Sequence, residues 1–185
     1  MRVISGSAKG HKLKTPAGMA TRPTTDRIKE SLFNIIAAYV PNSYVLDLFS
    51  GTGALGIEAL SRGAKFVDFV EKSASVAKII SENLMHTKLL DRSKIYICDW
   101  KYYFNKHYNS SYQYDIIFID PPYGKDFIVP VLKEIADKKM LKDDGMIIVE
   151  RESTDTISGN IEGLDVTREQ KYGKTVLTFI KNKLY

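Results

Sequence analysis

From residue 44 onward the chain alternates between two rhythms of apolar and polar positions. Short continuous apolar runs, "YVLDLF", "KFVDFVE", "KIYICD", "YDIIFID" and "GMIIVER", read as buried strands. Among them, "GALGIEALSRG", "SASVAKIISENLMHTKL" and "FIVPVLKEIADKKML" repeat apolar residues every three or four positions and read as helices, the first stopped by Gly63. The closing stretch "LDVTREQKYGKTVLTFIK" reads as two strands joined by a turn at Gly173. Ahead of residue 44 a helix is expected from about Asp26, an available N-cap. It carries Ile28, Leu32, Ile35, Ile36 and Tyr39 on one face. Residues 16–24 read as loop, and residues 2–15 as two extended pieces, "RVIS" and "HKLKT", around the turn-prone "GSAKG". The pattern predicts an α/β fold: a seven-stranded, mostly parallel sheet with helices on both faces and a small N-terminal β-hairpin.

Composition narrows the class. With 185 residues, 44% apolar and 26% charged, the chain suits one globular domain over 1–185, with 1–24 as a hairpin or arm. No apolar run nears the roughly 20 residues that span a bilayer, and "MRVISGSAKGHKLK" lacks the apolar segment of a secretory signal. Cys98 is the single cysteine, and no Cys/His spacing suggests a metal. A cytoplasmic protein without metal or membrane is expected. Charge is distributed unevenly. Residues 1–29 hold seven basic side chains against Asp26 alone, whereas the remainder holds 20 basic and 21 acidic. Such a concentration suits a polyanion, because each neutralised phosphate releases counterions; a solvated arm with no partner is the alternative.

Two short motifs carry candidate chemistry. "GTGALG", Gly51 to Gly56, sits where a strand turns into a helix and lets backbone approach a ligand closely. Alone it admits a dinucleotide, with Glu71 as ribose ligand. Asp47 just before it changes the balance, because a carboxylate suits a cation better than a pyrophosphate. S-adenosylmethionine brings a sulfonium and an ammonium and no phosphate. Glu71 could then accept from the ribose hydroxyls and Asp99 from the adenine amine, each at the end of a successive strand. The alternative for these acids is ordinary surface exposure. In the second motif, "IDPPYG", the prolines stiffen the chain and remove N–H donors. Asp120 and the Pro121 carbonyl become two acceptors aimed at one point, suited to an exocyclic amine, and Tyr123 offers a face for stacking a base. A rigid strand-ending turn is the alternative.

"DLFSGTG" with "DPPY" resembles class I S-adenosylmethionine-dependent methyltransferases that modify exocyclic amines of bases. "RPTTDRIKESLFNI", preceded by "RVISGSAKGHKLKTP" and followed by "KYGKT", narrows this to a resemblance to the RsmD family, spanning nearly the whole chain. That resemblance implies a Rossmann-like fold, S-adenosylmethionine as cofactor, and methyl transfer to the N2 amine of one guanine of 16S rRNA. It implies a substrate within an assembled or assembling 30S subunit, and a monomeric enzyme. Carried onto this sequence, it gives Asp120, Pro121, Pro122 and Tyr123 as the catalytic corner. Cofactor candidates are Thr24, Asp47, Phe49, Gly51, Gly53, Glu71, Lys72, Asp99 and Trp100. RNA candidates are Arg2, Lys9, His11, Lys12 and Arg22. The family often reads Arg-Gly-Arg-Lys-Leu where this chain has "KGHKL", so Lys9 and His11 replace two guanidiniums and lose bidentate phosphate geometry. Arg22 either faces substrate or braces the helix start with Asp26. An adenine-N6 methyltransferase, an RNA-binding assembly factor with a vestigial site, and a nicotinamide dehydrogenase remain as rivals.

Other features carry less. The aromatic stretch Asp99–Tyr114 places Trp100, Tyr103, Phe104, His107 and Tyr108 at helical spacing, which suits packing. His11, His86 and His107 show no metal spacing, Cys98 is expected in the core, and "DKKMLKDDG" reads as a solvated turn.

Overall fold

The computed structural model describes residues 1–16, 23–108, 112–122, 126–155, 157 and 161–183, with backbone alone at 23–25 and 107. The elements in chain order are α1 (Pro23–Ile35), β1 (Tyr44–Asp47), α2 (Ala54–Ser61), β2 (Phe66–Glu71), α3 (Ala74–Thr87) and β3 (Ser93–Ile97). The short α4 (Trp100–Tyr102) runs into a widened π turn at Tyr103–His107, and β4 (Tyr114–Ile119), α5 (Ile128–Asp137), β5 (Leu141–Glu152), β6 (Leu164–Tyr172) and β7 (Thr175–Asn182) follow. The strands form one sheet in the order β3-β2-β1-β4-β5-β7-β6. The first five are parallel, and β7 runs antiparallel to both neighbours.

Side-chain alternation splits the core in two. Val45, Val67, Phe69, Ile116, Phe118 and Ile148 meet α1, α2 and α3 on one face. Leu46, Val70, Ile117, Ile119, Ile147 and Val149 meet α5 and the Trp100–Phe104 aromatics on the other. Buried strands without polar alternation follow from this double covering.

The N-terminal hairpin is a single bridge, Arg2 to Lys12, with Val3 donating to His11 and Gly10 donating to Val3. Its stability comes from the rest of the fold. Glu58 of α2 is fully buried and accepts from the backbone N–H groups of Ile4 and Ser5, from Lys29 Nζ at 3.1 Å and from Arg62 Nε at 2.7 Å. Ser61 bonds the same loop, and Asn83 of α3 exchanges hydrogen bonds with the Lys14 backbone while donating to the Thr52 carbonyl.

Several boundaries differ from the sequence expectation. Helix α1 starts at Pro23, inside the expected loop, because the first turn has no intrahelical partner for its N–H groups and proline lacks one. It ends at Ile35, and Tyr39 lies beyond it, exposed and bonded to Lys181. The "DKKMLKDDG" stretch is no solvated turn: Met140 and Leu141 are buried, α5 stops at Asp137, and β5 begins at Leu141. Cys98 is half-buried where the core was expected, because it follows β3 at the sheet edge. The aromatic stretch does pack inward, with Trp100, Tyr103 and Phe104 buried.

Candidate active site

Strand order reverses between β1 and β4, and a crevice opens outside the carboxyl ends of parallel strands at such a point. Both sequence motifs lie there: the glycine turn follows β1, and Asp120 follows β4, its direct neighbour. Alternation along the strands adds a second constraint. Asp47, Glu71 and Asp120 have the parity of Val45, Phe69 and Phe118, so all three leave the sheet on the face covered by α1, α2 and α3.

Asp47 is 3% exposed, and its Oδ2 accepts from the Gly56 N–H at 2.9 Å. Desolvation pushes its carboxyl up to about 7 against the lowering effect of that bond, with Glu71 adding repulsion. Gly51 and Gly53 hold left-handed conformations, φ +53° and +77°, that bring backbone to the crevice with no side chain. Gly56 serves differently: a Cβ there would lie 2.3 Å from the Phe69 ring, so glycine lets α2 press on β2. Glu71 accepts from the Gly51 N–H at 3.1 Å and the Ser73 N–H at 2.8 Å, one per oxygen, leaving further lone pairs for hydroxyls. Asp99 is exposed and caps α4 through the Tyr102 N–H. Trp100 is buried against Phe104, with Lys101 over its ring, so most of its surface is committed to the core. Lys72 is exposed. A buried acid short of positive charge, beside side-chain-free backbone and a hydroxyl acceptor, fits a cationic nucleoside such as S-adenosylmethionine.

Asp120 reaches solvent through the crevice, although protein surrounds its other sides. Desolvation, then Glu150, then Asp47 hold its carboxyl well above the usual range. Pro121 is buried and Pro122 exposed, and Tyr123 lies outside the described residues. Phe49, after β1, stacks on Phe127, which leads into α5, at 6.0 Å between centroids and 14° between planes. That contact ties the glycine turn to the far side of the Asp-Pro-Pro-Tyr loop. Glu150, which sequence reasoning passed over inside "GMIIVER", stands beside Asp120: Ile119 pairs with Val149, so the next residue of each strand is a carboxylate.

The described basic candidates sit on the hairpin and beside α1. Arg2, Lys9 and Lys12 are exposed on the hairpin. Arg2 and Lys9 line a cavity of about 450 Å³ with Asp26, Arg27 and Glu30 of α1, so Arg27 joins the set that sequence had supplied. His11 is less available: its Nδ1 pairs with the Ala8 carbonyl, and its ring meets His86 edge-on at 5.1 Å. Arg22 and the Thr24 side chain lie outside the described residues.

The family described as conserved hypothetical protein 95 matches residues 1–181. A Bacillus subtilis protein, YlbH, is 38% identical over 183 residues, 99% of this chain and 100% of the relative. Ribosomal RNA small subunit methyltransferase D of Haemophilus influenzae is 36% identical over 152 residues, 82% of this chain and 79% of its own. The solved structure of Escherichia coli yhhF superposes with a TM-score of 0.87 at 29% identity, covering 99% of this chain and 98% of that one.

Proposed function

The chain belongs to the conserved hypothetical protein 95 family and is an rRNA methyltransferase; we propose that its target is the N2 amine of one guanine of 16S rRNA, in an assembled or assembling small subunit. The observation that carries this is the adjacency of β1 and β4, which opens the glycine turn and the Asp120 corner on one edge of the sheet. Asp47 and the Gly51–Gly53 turn would hold the methionine end of S-adenosylmethionine, Glu71 the ribose and Asp99 the adenine amine. When bound, that cofactor supplies an electrophilic methyl group.

The protein's own work is positioning. An aryl amine has its lone pair delocalised into the ring and is a poor nucleophile. Asp120 and the Pro121 carbonyl, each accepting one amine hydrogen, favour a pyramidal nitrogen whose lone pair is localised toward the methyl group. As nitrogen gains a fourth substituent it becomes acidic; the developing positive charge favours the ionised form of Asp120, which stabilises that charge and, with its raised affinity for a proton, takes it. Phe49 and Phe127 form an apolar wall that limits water. The described strands form one sheet with the basic hairpin packed on α2 and α3, and no helix of the described residues is long and apolar enough to cross a membrane.

The test is radiolabelled methyl transfer to small subunits that lack the modification, followed by nucleoside analysis. N2-methylguanosine is the expected product, and N6-methyladenosine or no product overturns the reading. Asp120→Ala should abolish turnover while leaving cofactor affinity within about twofold, since it removes the amine's partner and leaves the glycine turn intact.

A further inference from the structure

We propose that Glu150 reads the N1–H of the target guanine and thereby selects guanine over bases that lack this proton. The inference rests on the guanine reading above and goes beyond it, to the residue that enforces the choice. Glu150 has the parity of Met146 and Ile148, so it leaves β5 on the same sheet face as Asp120 leaves β4. Neighbouring strands lie about 4.8 Å apart, which puts the two carboxylates side by side at the crevice. Glu150 is half-buried and Asp120 exposed, and among the described residues no hydrogen-bond donor reaches either carboxylate. Asp120 faces solvent with Glu150 beside it, so the pair's donors come from water or from a ligand that displaces it, and adjacent acids in a crevice suit a ligand edge rich in N–H groups.

The chemistry of the base edge fits that need. Guanine presents a run of N–H donors on its Watson–Crick edge, one on N1 and two on N2. Asp120 and the Pro121 carbonyl accept the two on N2, and Glu150 remains for the one on N1. Adenine presents a bare N1 lone pair at the same place, which a carboxylate repels. Desolvation raises Glu150, and desolvation with repulsion from Glu150 raises Asp120, so the pair gains from any ligand carrying donors. An acid at the end of an apolar run thus acquires a role that its sequence context hides.

The experiment compares small subunits reconstituted with 16S rRNA carrying either guanine or 2-aminopurine at the methylated position. 2-Aminopurine keeps the N2 amine and lacks N1–H. Wild-type enzyme should methylate guanine at least 10-fold to 100-fold faster in kcat/KM, the range expected when a buried polar group loses its partner. Glu150→Gln can turn its amide N–H toward a bare N1, so the guanine rate should fall by a similar factor while the 2-aminopurine rate holds or rises. Cofactor affinity should not change. Equal use of both bases by wild-type enzyme overturns the proposal without any variant, as does equal slowing of both by Glu150→Gln. If Glu150→Gln does not fold, Glu150→Asp takes its place: narrowed discrimination supports the proposal, and unchanged discrimination overturns it. Failure to methylate guanine at all by wild-type enzyme instead defeats the functional reading beneath.

Discussion

Asp47 is where a single residue's electrostatics reaches function. Its carboxyl titrates near 7 because the folded chain denies it water, so between about pH 4 and 7 the ligand-free protein holds a proton that the unfolded chain has released. Asp47's contribution to stability is therefore fully present below that window and is lost as pH rises through it, by on the order of 4 kcal/mol if the whole displacement is expressed. A bound cation reverses the sign, since it favours the ionised form. Cofactor affinity should therefore tighten as pH rises from 6 to 8, and in Asp47→Asn the dependence should flatten while the Gly56 N–H keeps an acceptor. Isothermal titration across that range reads it, and an unchanged pH slope in Asp47→Asn removes Asp47 as the cause. Asp47 and Asp120 were legible in the sequence because glycines and prolines, residues with few structural excuses, stand next to them. Glu150 was not, because what singles it out is the Ile119–Val149 register, and no local pattern encodes which strand lies beside which.

At the scale of elements, the hairpin shows a piece of structure that cannot stand alone. One bridge between Arg2 and Lys12 is too little pairing for independent stability. Glu58 substitutes for the missing strand by gathering two backbone donors and two cations at a place without solvent. Glu58→Ala should destabilise the protein by about 3–5 kcal/mol, because it strands Lys29, only 3% exposed, as an unpaired buried charge. Replacing Lys29 and Glu58 together with methionine should recover a large part of the loss, and thermal melts of the three variants check both statements. Gly6→Ala offers an independent probe: its Cβ would stand 1.8 Å from the Ser61 carbonyl oxygen, so the hairpin must lift from α2. Loss of the Ser7-to-Ser61 contact in hydrogen exchange reads that directly. The sequence disclosed two extended pieces and a turn here, but Glu58 looked like one more polar position on a helix. Its burial depends on what packs over it. The start of α1 was misread for a related reason, since Pro23 both ends loops and opens helices, and only the following packing decides.

Over the whole molecule, the uneven charge takes on a fixed position. Seven basic residues against one acidic in the first 29 positions would mean little on a free arm. The clamp on α2 and α3 fixes the hairpin's Arg2, Lys9, Lys12 and Lys14 instead: Asn83 links Lys14 to the Thr52 carbonyl of the glycine turn, and Met1 touches the Thr52 hydroxyl. Arg2, Lys9 and Arg27 then line one fixed basic face along the hairpin and α1, with Lys14 tied beside the glycine turn and Lys9 next to Ala8, which bonds Ser61 at the far end of α2. Lys9 and Lys12 supply charge without a fork, so their part of this face should position phosphates and carry no sequence preference. If so, Lys9→Gln with Lys12→Gln removes about two phosphate contacts. The slope of log affinity for the small subunit against log salt should then shrink by roughly 1.5, with affinity falling most at low salt. Cofactor affinity and the guanine preference should stay as they were, because neither lysine touches the Asp47 or Asp120 corner. A slope that does not move would make the hairpin a solvated flank, and would leave α1 and the crevice rim to carry the RNA by themselves.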